Sequence, residues 1–252
     1  FDQRVPEEIN RKIVDHISDI NMPYSSISRE YLLREGIPPE RVIKTGSPMF
    51  EVLHYYMPKI QSSEIRDQLK LRERDYFVVS CHREENVDSE ENFSGLTEVL
   101  DGLAQLHGKR VIMTTHPRTR KRIEQEGIKL PALVEMHKPF GLSDYVHLQM
   151  YARAVLSDSG TITEESSILN FPAITIRQAH ERPEGMDEGV LIMSGLKKER
   201  VLQAIDIVVS QFADKKGQAR IVPDYDVDNF SVKVVRCVIS YIDYVNRTIW
   251  NK

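Results

Sequence analysis

Residues 158–165, which read Asp-Ser-Gly-Thr-Ile-Thr-Glu-Glu, come just after an apolar run at 154–156. A strand that ends in Ser-Gly and opens a helix presents backbone N–H groups that lack helical partners and that bind anions. A carboxylate one turn into such a helix, here Glu165, can accept hydrogen bonds from a ribose. The segment therefore predicts a nucleotide diphosphate site. Ser159-Gly160 alone is a weak signal because many tight turns contain this pair, and Glu165 alone is typical of a surface or capping carboxylate.

Two further predicted strands, 76–80 and 110–114, also end in polar residues. Because parallel strands end on the same side of a sheet, we expect all three strand ends to lie on one edge. His82 beside Arg83 could bind a diphosphate or protonate a leaving phosphate. The alternative is a structural histidine that hydrogen-bonds a neighbouring loop. His116 could contact the ligand, or the proline that follows it could simply shape the loop.

The segment Arg182-Pro183-Glu184 follows a strand and a polar loop. One interpretation is a turn fixed by Pro183. The functional interpretation is a guanidinium near the ligand, oriented by the neighbouring carboxylate. Tyr145 could stack on or border a base, although a tyrosine in a helix more often serves packing.

From residue 75 onward, short apolar segments alternate with amphipathic ones. This alternation predicts βαβ units and a parallel sheet covered by helices on both faces, with ligands at the carboxyl ends of the strands. The predicted strands are 76–80, 110–114, 132–136, 155–157, 173–176 and 189–193. The predicted helices are 93–106, 119–126, 143–152, 163–169, 198–212 and 232–248.

The region before residue 75 is predicted to be mostly helical. A helix starts at Pro6, with isoleucines 9, 13, 17 and 20 forming an apolar stripe. A second helix spans 28–35 with Ser28 as its N-cap, and residues 41–45 form a short strand. The tail helix at 232–248 has an apolar side that nothing before it obviously covers. We predict three parts of the chain: 1–45, 46–228 and 229–252.

Composition excludes several classes of protein. The 252 residues are 40% hydrophobic and 29% charged, with a net charge of −4. No basic block resembles a nucleic-acid footprint, and no run of 18 apolar residues predicts a membrane-spanning helix. Two cysteines far apart in sequence indicate a reduced, cytoplasmic protein. Because the chain opens at Phe1 in what reads as the middle of a domain, we expect a fragment of a longer protein.

Four segments together resemble the non-hydrolysing UDP-N-acetylglucosamine 2-epimerase family. They are residues 5–11, 81–86, 158–165 and 181–184, and they occur in the family's order. The resemblance implies an α/β fold of GT-B type, with two Rossmann-like domains and the nucleotide held mainly by the second. It also implies that most of the first domain precedes Phe1, that 1–45 is its remainder and that the tail helix crosses back to it.

The resemblance implies roles for individual residues. Glu7 would be a catalytic carboxylate, and His82 would lie at the active site near the diphosphate. Backbone N–H groups of residues 159–161 would hold phosphate, Glu165 would bind the ribose hydroxyls and Arg182 would contact the nucleotide sugar.

Phe140 and Tyr145 would flank the uracil, partly through backbone. The full set of expected UDP-sugar contacts is Arg83, His116, Phe140, Tyr145, Ser159, Gly160, Thr161, Glu165, Arg182 and Glu184. No metal or nicotinamide cofactor is expected, and the expected partners are a UDP-sugar and a second copy in a homodimer, without nucleic acid or membrane.

Two departures from the family pattern bear on the substrate. The family's usual Ser-Gly-Gly-x-Gln-Glu-Glu is replaced at 159–165 by Ser-Gly-Thr-Ile-Thr-Glu-Glu, so that Thr161 adds bulk near the phosphates. The usual His-Arg-Arg-Glu-Asn is here His-Arg-Glu-Glu-Asn, at 82–86. The ending at 241–248 resembles the branch that converts UDP-2-acetamido-2,6-dideoxy-L-talose to UDP-N-acetyl-L-fucosamine for bacterial capsule or O-antigen. The alternatives are UDP-N-acetylglucosamine 2-epimerisation, hydrolytic epimerisation, glycosyl transfer by a GT-B enzyme, and UDP binding without turnover.

Overall fold

The computed structural model describes residues 6–83, 86, 89–115, 117–179, 182–214 and 220–252, with residues 6 and 7 in backbone only. The chain divides into two compact units. The first unit contains Phe1–Tyr55, Ala179–Glu184 and Ile221–Lys252. The second unit contains Tyr56–Gln178 and Gly185–Arg220.

Helices and strands alternate through the described residues from Tyr76 onward, as the sequence predicts. The helices are α1 (Pro6–Ile17), α2 (Ser26–Arg34), α3 (Met49–Gln61), α4 (Ile65–Gln68), α5 (Glu90–His107), α6 (Pro117–Gln125), α7 (Leu142–Tyr151), α8 (Thr161–Leu169), α9 (Pro183–Asp187), α10 (Lys198–Ala213) and α11 (Phe230–Thr248). The strands are β1 (Tyr76–Ser80), β2 (Arg110–Thr114), β3 (Val134–His137), β4 (Ala154–Ser157), β5 (Ala173–Thr175) and β6 (Ile192–Met193).

The second unit is built on a parallel sheet, which confirms the predicted α/β architecture. Within the described residues the sheet has six strands in the order β3-β2-β1-β4-β5-β6. Val78 of β1 pairs with Ile112 of β2 on one side and with Val155 of β4 on the other. The strand order therefore reverses direction between β1 and β4, and such a switch point opens a crevice at the carboxyl ends of the strands.

Both faces of this sheet are covered by helices. Alternate residues of a strand point to opposite faces. Phe77 and Val79 accordingly pack in a cluster with residues of α5 and α10, whereas Tyr76 and Val78 pack in a second cluster with residues of α7 and α8. All four side chains are 0% exposed. Burial on both faces explains why β1 is a continuous apolar run rather than an alternating one.

The first unit departs from the sequence prediction at two places. The N-cap of α2 is Ser25, not Ser28, because the Ser25 hydroxyl accepts a hydrogen bond from the Ser28 backbone N–H at 3.2 Å. The predicted strand at 41–45 is wrong. A 3₁₀ turn occupies Pro39–Arg41, and Val42 then makes only an isolated parallel bridge to Asn21.

Two helices of the first unit carry apolar side chains on an exposed face. Ile13 and Ile17 of α1 are 54% and 75% exposed, and Val235 and Ile239 of α11 are 62% and 67% exposed. These exposures agree with the prediction that the apolar side of the tail helix is not covered. No helix in the described part of the chain is long and apolar enough to cross a membrane.

Candidate functional site

The candidate site of the second unit lies where β1 and β4 end side by side. Ser80 of β1 pairs with Ser157 of β4, so the residues after each strand emerge together at the switch point of the sheet. This placement confirms the prediction that the segments after the two strands share one edge.

Asp158 anchors the loop that follows β1. Its carboxylate is completely buried and accepts the backbone N–H of His82 at 3.0 Å and of Arg83 at 2.9 Å. The side-chain amide of Asn86 donates a further hydrogen bond to Asp158 Oδ2 at 3.1 Å. A single carboxylate therefore fixes the course of the His82 loop.

The imidazole of His82 is oriented by the same carboxylate. Nδ1 of His82 lies 3.1 Å from Asp158 Oδ1, while the side chain is 49% exposed. With Nδ1 directed at Asp158, Nε2 is the ring nitrogen that can serve a ligand. The hydrogen bond to Asp158 raises the pKa of His82, against the opposing effect of burial, and so favours the imidazolium.

The charge of Asp158 is correspondingly stabilised. Burial alone would raise the pKa of Asp158. The hydrogen bonds from His82, from the Arg83 backbone and from Asn86, together with the charge of His82, outweigh burial and lower this pKa to about 2. The pair therefore favours a protonated imidazole at the switch point, which suits a departing phosphate.

The turn between β4 and α8 forms the second part of the site. The backbone N–H of Ser159 donates to Ser157 Oγ at 3.1 Å, and that of Thr161 donates to Ser159 Oγ at 3.4 Å. The hydroxyls of Ser159 and Thr161 are 3.0 Å apart. The helix begins at Thr161 with Gly160 as its N-cap residue. Its N-terminus carries partial positive charge, as the predicted phosphate site requires.

A buried polar group lies behind this turn. Glu165 on α8 is 7% exposed and accepts a hydrogen bond from Gln149 Nε2 of α7 at 2.7 Å. Tyr145 precedes Gln149 by one turn of α7, on the same face of the helix. Burial, and after it the charge of Glu165, raises the pKa of Tyr145. Phe140 and Tyr145 both pack against the apolar cluster on this face of the sheet.

Arg182 and Glu184 belong to the first unit. They line a cavity of about 290 Å³ together with Arg11 of α1. Glu184 is 8% exposed, and its Oε1 accepts a hydrogen bond from the Tyr225 hydroxyl at 2.8 Å.

Acidic residues surround the guanidinium of Arg11. It donates to Glu8 at 3.0 Å and to Glu35 at 2.8 Å, and it also contacts Asp15. The hydrogen bond from Arg11 lowers the pKa of Glu8 despite burial. The first unit thus has a cavity lined by charged groups.

Some predicted site residues lie outside what the structure describes. His116 is outside the described residues, and only the backbone of Glu7 in α1 is described. Arg83 is placed by its backbone N–H at Asp158. In the described part of the chain, no group of three or more His, Cys, Asp or Glu side chains is placed to hold a metal ion.

Sequence reasoning did not assign roles to Asp158, Asn86 or Gln149. Asp158 could have been found from its position, because an acidic residue directly after a buried strand faces the end of the neighbouring strand. Asn86 is part of a quoted motif but carries no signal of its own. Gln149 is a polar residue on a helix, and only the position of α8 shows that it is buried.

The sheet order and its switch point define a Rossmann-like α/β protein of the GT-B type. Residues 1–239 match the family model described as UDP-N-acetylglucosamine 2-epimerase. The chain belongs to this family, as the sequence motifs predict.

Individual relatives agree with this assignment. The chain is 30% identical over 239 residues to the UDP-N-acetylglucosamine 2-epimerase of Methanocaldococcus jannaschii, covering 88% of this chain and 64% of that protein. A solved structure of UDP-N-acetylglucosamine 2-epimerase from Rickettsia bellii is 49% identical, with a TM-score of 0.91, over 100% of this chain and 67% of that one. The chain thus spans about two thirds of the length of these relatives.

A further structure of the Methanocaldococcus jannaschii enzyme was solved in complex with UDP-GlcNAc and UDP. It is 30% identical to this chain, with a TM-score of 0.85, over 95% of this chain and 66% of that one. A Pseudomonas aeruginosa relative, 27% identical over 221 residues that cover 86% of this chain and 60% of that protein, is named UDP-2,3-diacetamido-2,3-dideoxy-D-glucuronate 2-epimerase. Members of the family are therefore named for different UDP-sugars.

Proposed function

We propose that this chain is the nucleotide-binding part of a UDP-sugar 2-epimerase, an isomerase. The observation that carries the proposal is the convergence of the Asp158–His82 pair and the N-terminus of α8 at one switch point. The pair favours a protonated imidazole, and the helix N-terminus supplies partial positive charge for phosphate. Membership of the family supports the same reaction.

The chemistry of the sugar limits the mechanism. The hydrogen on C2 of a 2-acetamido sugar is not acidic because no carbonyl adjoins it, so direct deprotonation is not a workable route. Elimination of UDP across C1–C2 gives a glycal, and re-addition of UDP with a proton on the opposite face of C2 gives the epimer. The C1–O bond breaks with its electron pair on the UDP phosphate, and a base removes the C2 proton.

Different residues of this chain serve the different steps of this reaction. His82 and the N-terminus of α8 stabilise the charge that develops on the departing diphosphate. Glu165 holds the ribose, so UDP stays bound while the glycal is turned over. A carboxylate such as Glu7 moves the C2 proton. Arg182 contacts the nucleotide sugar, with Glu184 beside it.

We propose UDP-2-acetamido-2,6-dideoxy-L-talose as the substrate and UDP-N-acetyl-L-fucosamine as the product, in capsule or O-antigen synthesis. The replacement of the second glycine by Thr161 and the sequence at 241–248 support this assignment. UDP-N-acetylglucosamine is the second candidate, because relatives at 30% and 49% identity carry that name.

Solvent deuterium tests the reaction. The protein as it occurs in the cell, with any residues that flank these 252, is incubated with each UDP-sugar in D₂O and followed by NMR at C2. Elimination and re-addition predict one deuterium at C2 of the product, with UDP and the glycal formed transiently. Product without deuterium contradicts the elimination route. Free sugar plus UDP identifies a hydrolase, and transfer to an acceptor identifies a glycosyltransferase.

A matched pair of variants tests the role of His82. His82→Gln removes the imidazolium at the switch point, whereas His54→Gln alters an exposed histidine of α3 that hydrogen-bonds the Phe50 carbonyl. We expect His82→Gln to lower the epimerisation rate by about a hundredfold or more, the usual contribution of a general acid, and His54→Gln to leave it unchanged. Equal rates in the two variants would remove His82 from the mechanism.

A further inference from the structure

Gln149 of α7 is a fully buried polar residue. Its exposure is 0%, and its neighbour Leu148 lies in the apolar cluster between α7 and the sheet. Within the described residues Gln149 Oε1 has no hydrogen-bond partner. A buried acceptor without a partner is destabilising, and an apolar side chain of similar size would avoid that cost. Packing alone therefore does not account for glutamine at this position.

The amide nitrogen of Gln149 has a specific contact. Nε2 donates to Glu165 Oε2 at 2.7 Å, a short hydrogen bond of the kind made to ionised groups. The orientation of the amide is fixed by this contact, since exchanging oxygen and nitrogen would set Oε1 against a carboxylate oxygen. Gln149 therefore offers only N–H to Glu165.

Tyr145 lies beside the amide on the same helix. It precedes Gln149 by one turn of α7, so the two side chains lie on the same face of the helix. Side-chain hydrogen bonding with Ser80 and Gln149 acts to lower the pKa of Tyr145, against the larger effect of burial, which raises it. The polar groups of Tyr145 and Gln149 are therefore neighbours, with Ser80 at the end of β1 close to them.

We infer that Gln149 is the positioning residue that sets the Glu165 carboxylate for the ribose hydroxyls. This inference rests on the proposed function, in which Glu165 binds ribose. Without the amide, the Glu165 carboxylate loses the hydrogen bond at its Oε2. Discrimination between a ribose and a deoxyribose should then fall, because that preference depends on where the carboxylate oxygens lie.

The test compares affinities for UDP and for 2′-deoxy-UDP by calorimetry, on the protein as it occurs in the cell, with any residues that flank these 252. Gln149→Met keeps the volume and removes both amide hydrogens. We expect it to weaken UDP binding by about tenfold, the effect of one hydrogen bond to a charged group, and to leave 2′-deoxy-UDP binding nearly unchanged. The affinity ratio, unlike affinity itself, does not change when a variant merely loosens the fold.

Gln105→Met is the matched control. Gln105 Nε2 also donates to a carboxylate at 2.7 Å, that of Asp101, but on an exposed face of α5. Gln105→Met should leave the affinities for UDP and for 2′-deoxy-UDP unchanged. Tyr145→Phe removes one hydroxyl without changing volume, and it serves if Gln149→Met does not fold. We expect it to lower the UDP to 2′-deoxy-UDP ratio by about threefold, as for one neutral hydrogen bond.

Glu165→Gln separates this inference from the proposed function. The positioning role is supported if Glu165→Gln removes the preference for UDP over 2′-deoxy-UDP and Gln149→Met lowers that preference. The double variant should then show no further loss. If Glu165→Gln abolishes the ratio but Gln149→Met lowers both affinities equally, the positioning role is wrong and the proposed function stands. If Glu165→Gln leaves the ratio intact, or the wild-type chain does not bind UDP, both are wrong.

Discussion

Replacing Asp158 with asparagine tests the central electrostatic claim about the site. Asparagine keeps the shape and can still accept one of the backbone N–H bonds from His82 and Arg83. It removes the negative charge beside the imidazole. We expect the pKa of His82 to fall towards its ordinary value of 6.5, since the hydrogen bond to Asp158 is the largest cause of its rise.

The magnitude of the stability change follows from the pKa shift of the Asp158 carboxyl. The pKa of Asp158 falls from 3.8 to about 2 on folding, which corresponds to about 2.5 kcal/mol in favour of the folded, ionised state. Asp158 is fully buried, so solvent does not screen this contribution. Asp158→Asn should therefore lower the free energy of unfolding at neutral pH by about 2 kcal/mol.

The contributions of Asp158 and His82 to stability depend on pH in opposite directions. The folded pKa of Asp158 lies below its unfolded value, so its contribution is complete above about pH 4 and declines as the pH falls towards 2. The folded pKa of His82 lies above its unfolded value. Its contribution is therefore present below 6.5 and is lost as the pH rises through the folded pKa. The difference in the free energy of unfolding between wild type and Asp158→Asn should be largest between about pH 4 and pH 6.5.

Two measurements check this prediction. NMR titration of ¹³C-labelled histidine, assigned with His82→Gln, gives the pKa of His82, and urea unfolding at several pH values gives the stability. Asp224→Asn is the control, because Asp224 is another buried carboxylate whose pKa is lowered. It should reduce stability and leave the His82 titration unchanged. An unaltered His82 pKa in Asp158→Asn would refute the reasoning.

Two further predictions concern packing and burial. Gly95→Ala should lower the free energy of unfolding by about 1–3 kcal/mol, because the new Cβ would lie 2.7 Å from the Leu196 carbonyl oxygen. Gly102→Ala on the same helix should be neutral or stabilising in urea unfolding, since its Cβ meets only movable side-chain atoms and alanine favours the helix. Equal effects of the two substitutions would contradict the packing argument. Tyr225→Phe should cost about 1–3 kcal/mol by removing the donor to the buried Glu184, and an unchanged thermal midpoint would show that the bond contributes nothing.

The central strands were predictable because their sequence carries one dominant signal. The three central residues of β1 and of β2 are all apolar and fully buried, and the predicted bounds 76–80 and 110–114 match the structure. The segment at 41–45 has a similar composition but forms no regular strand. Beyond the bridge to Asn21 it faces Pro23, whose carbonyl accepts the Thr45 N–H but which has no N–H to donate in return. Composition indicates a preference for extended backbone, whereas a strand also needs a hydrogen-bonded neighbouring strand along its length.

The site was predictable in its location but not in its internal contacts. The Ser-Gly turn and His82 both follow apolar runs, and parallel topology alone brings such strand ends to one edge. That Asp158 accepts the His82 and Arg83 amides depends on β4 lying beside β1, a pairing that no local pattern specifies. The Gln149 contact depends in the same way on how α7 and α8 pack.

The pairing of β1 with β4 also sets the order in which the site can form. The bond from the His82 amide to Asp158 joins residues 76 positions apart, and β2 and β3 both lie between them. Closing so long a loop is slow compared with forming the local βαβ units. A nascent chain that has not yet extended past β4 holds half of the sheet and a His82 loop without its anchor. The proposed nucleotide binding therefore requires the two halves of the sheet to be joined, so UDP binding would be gained late in folding during synthesis.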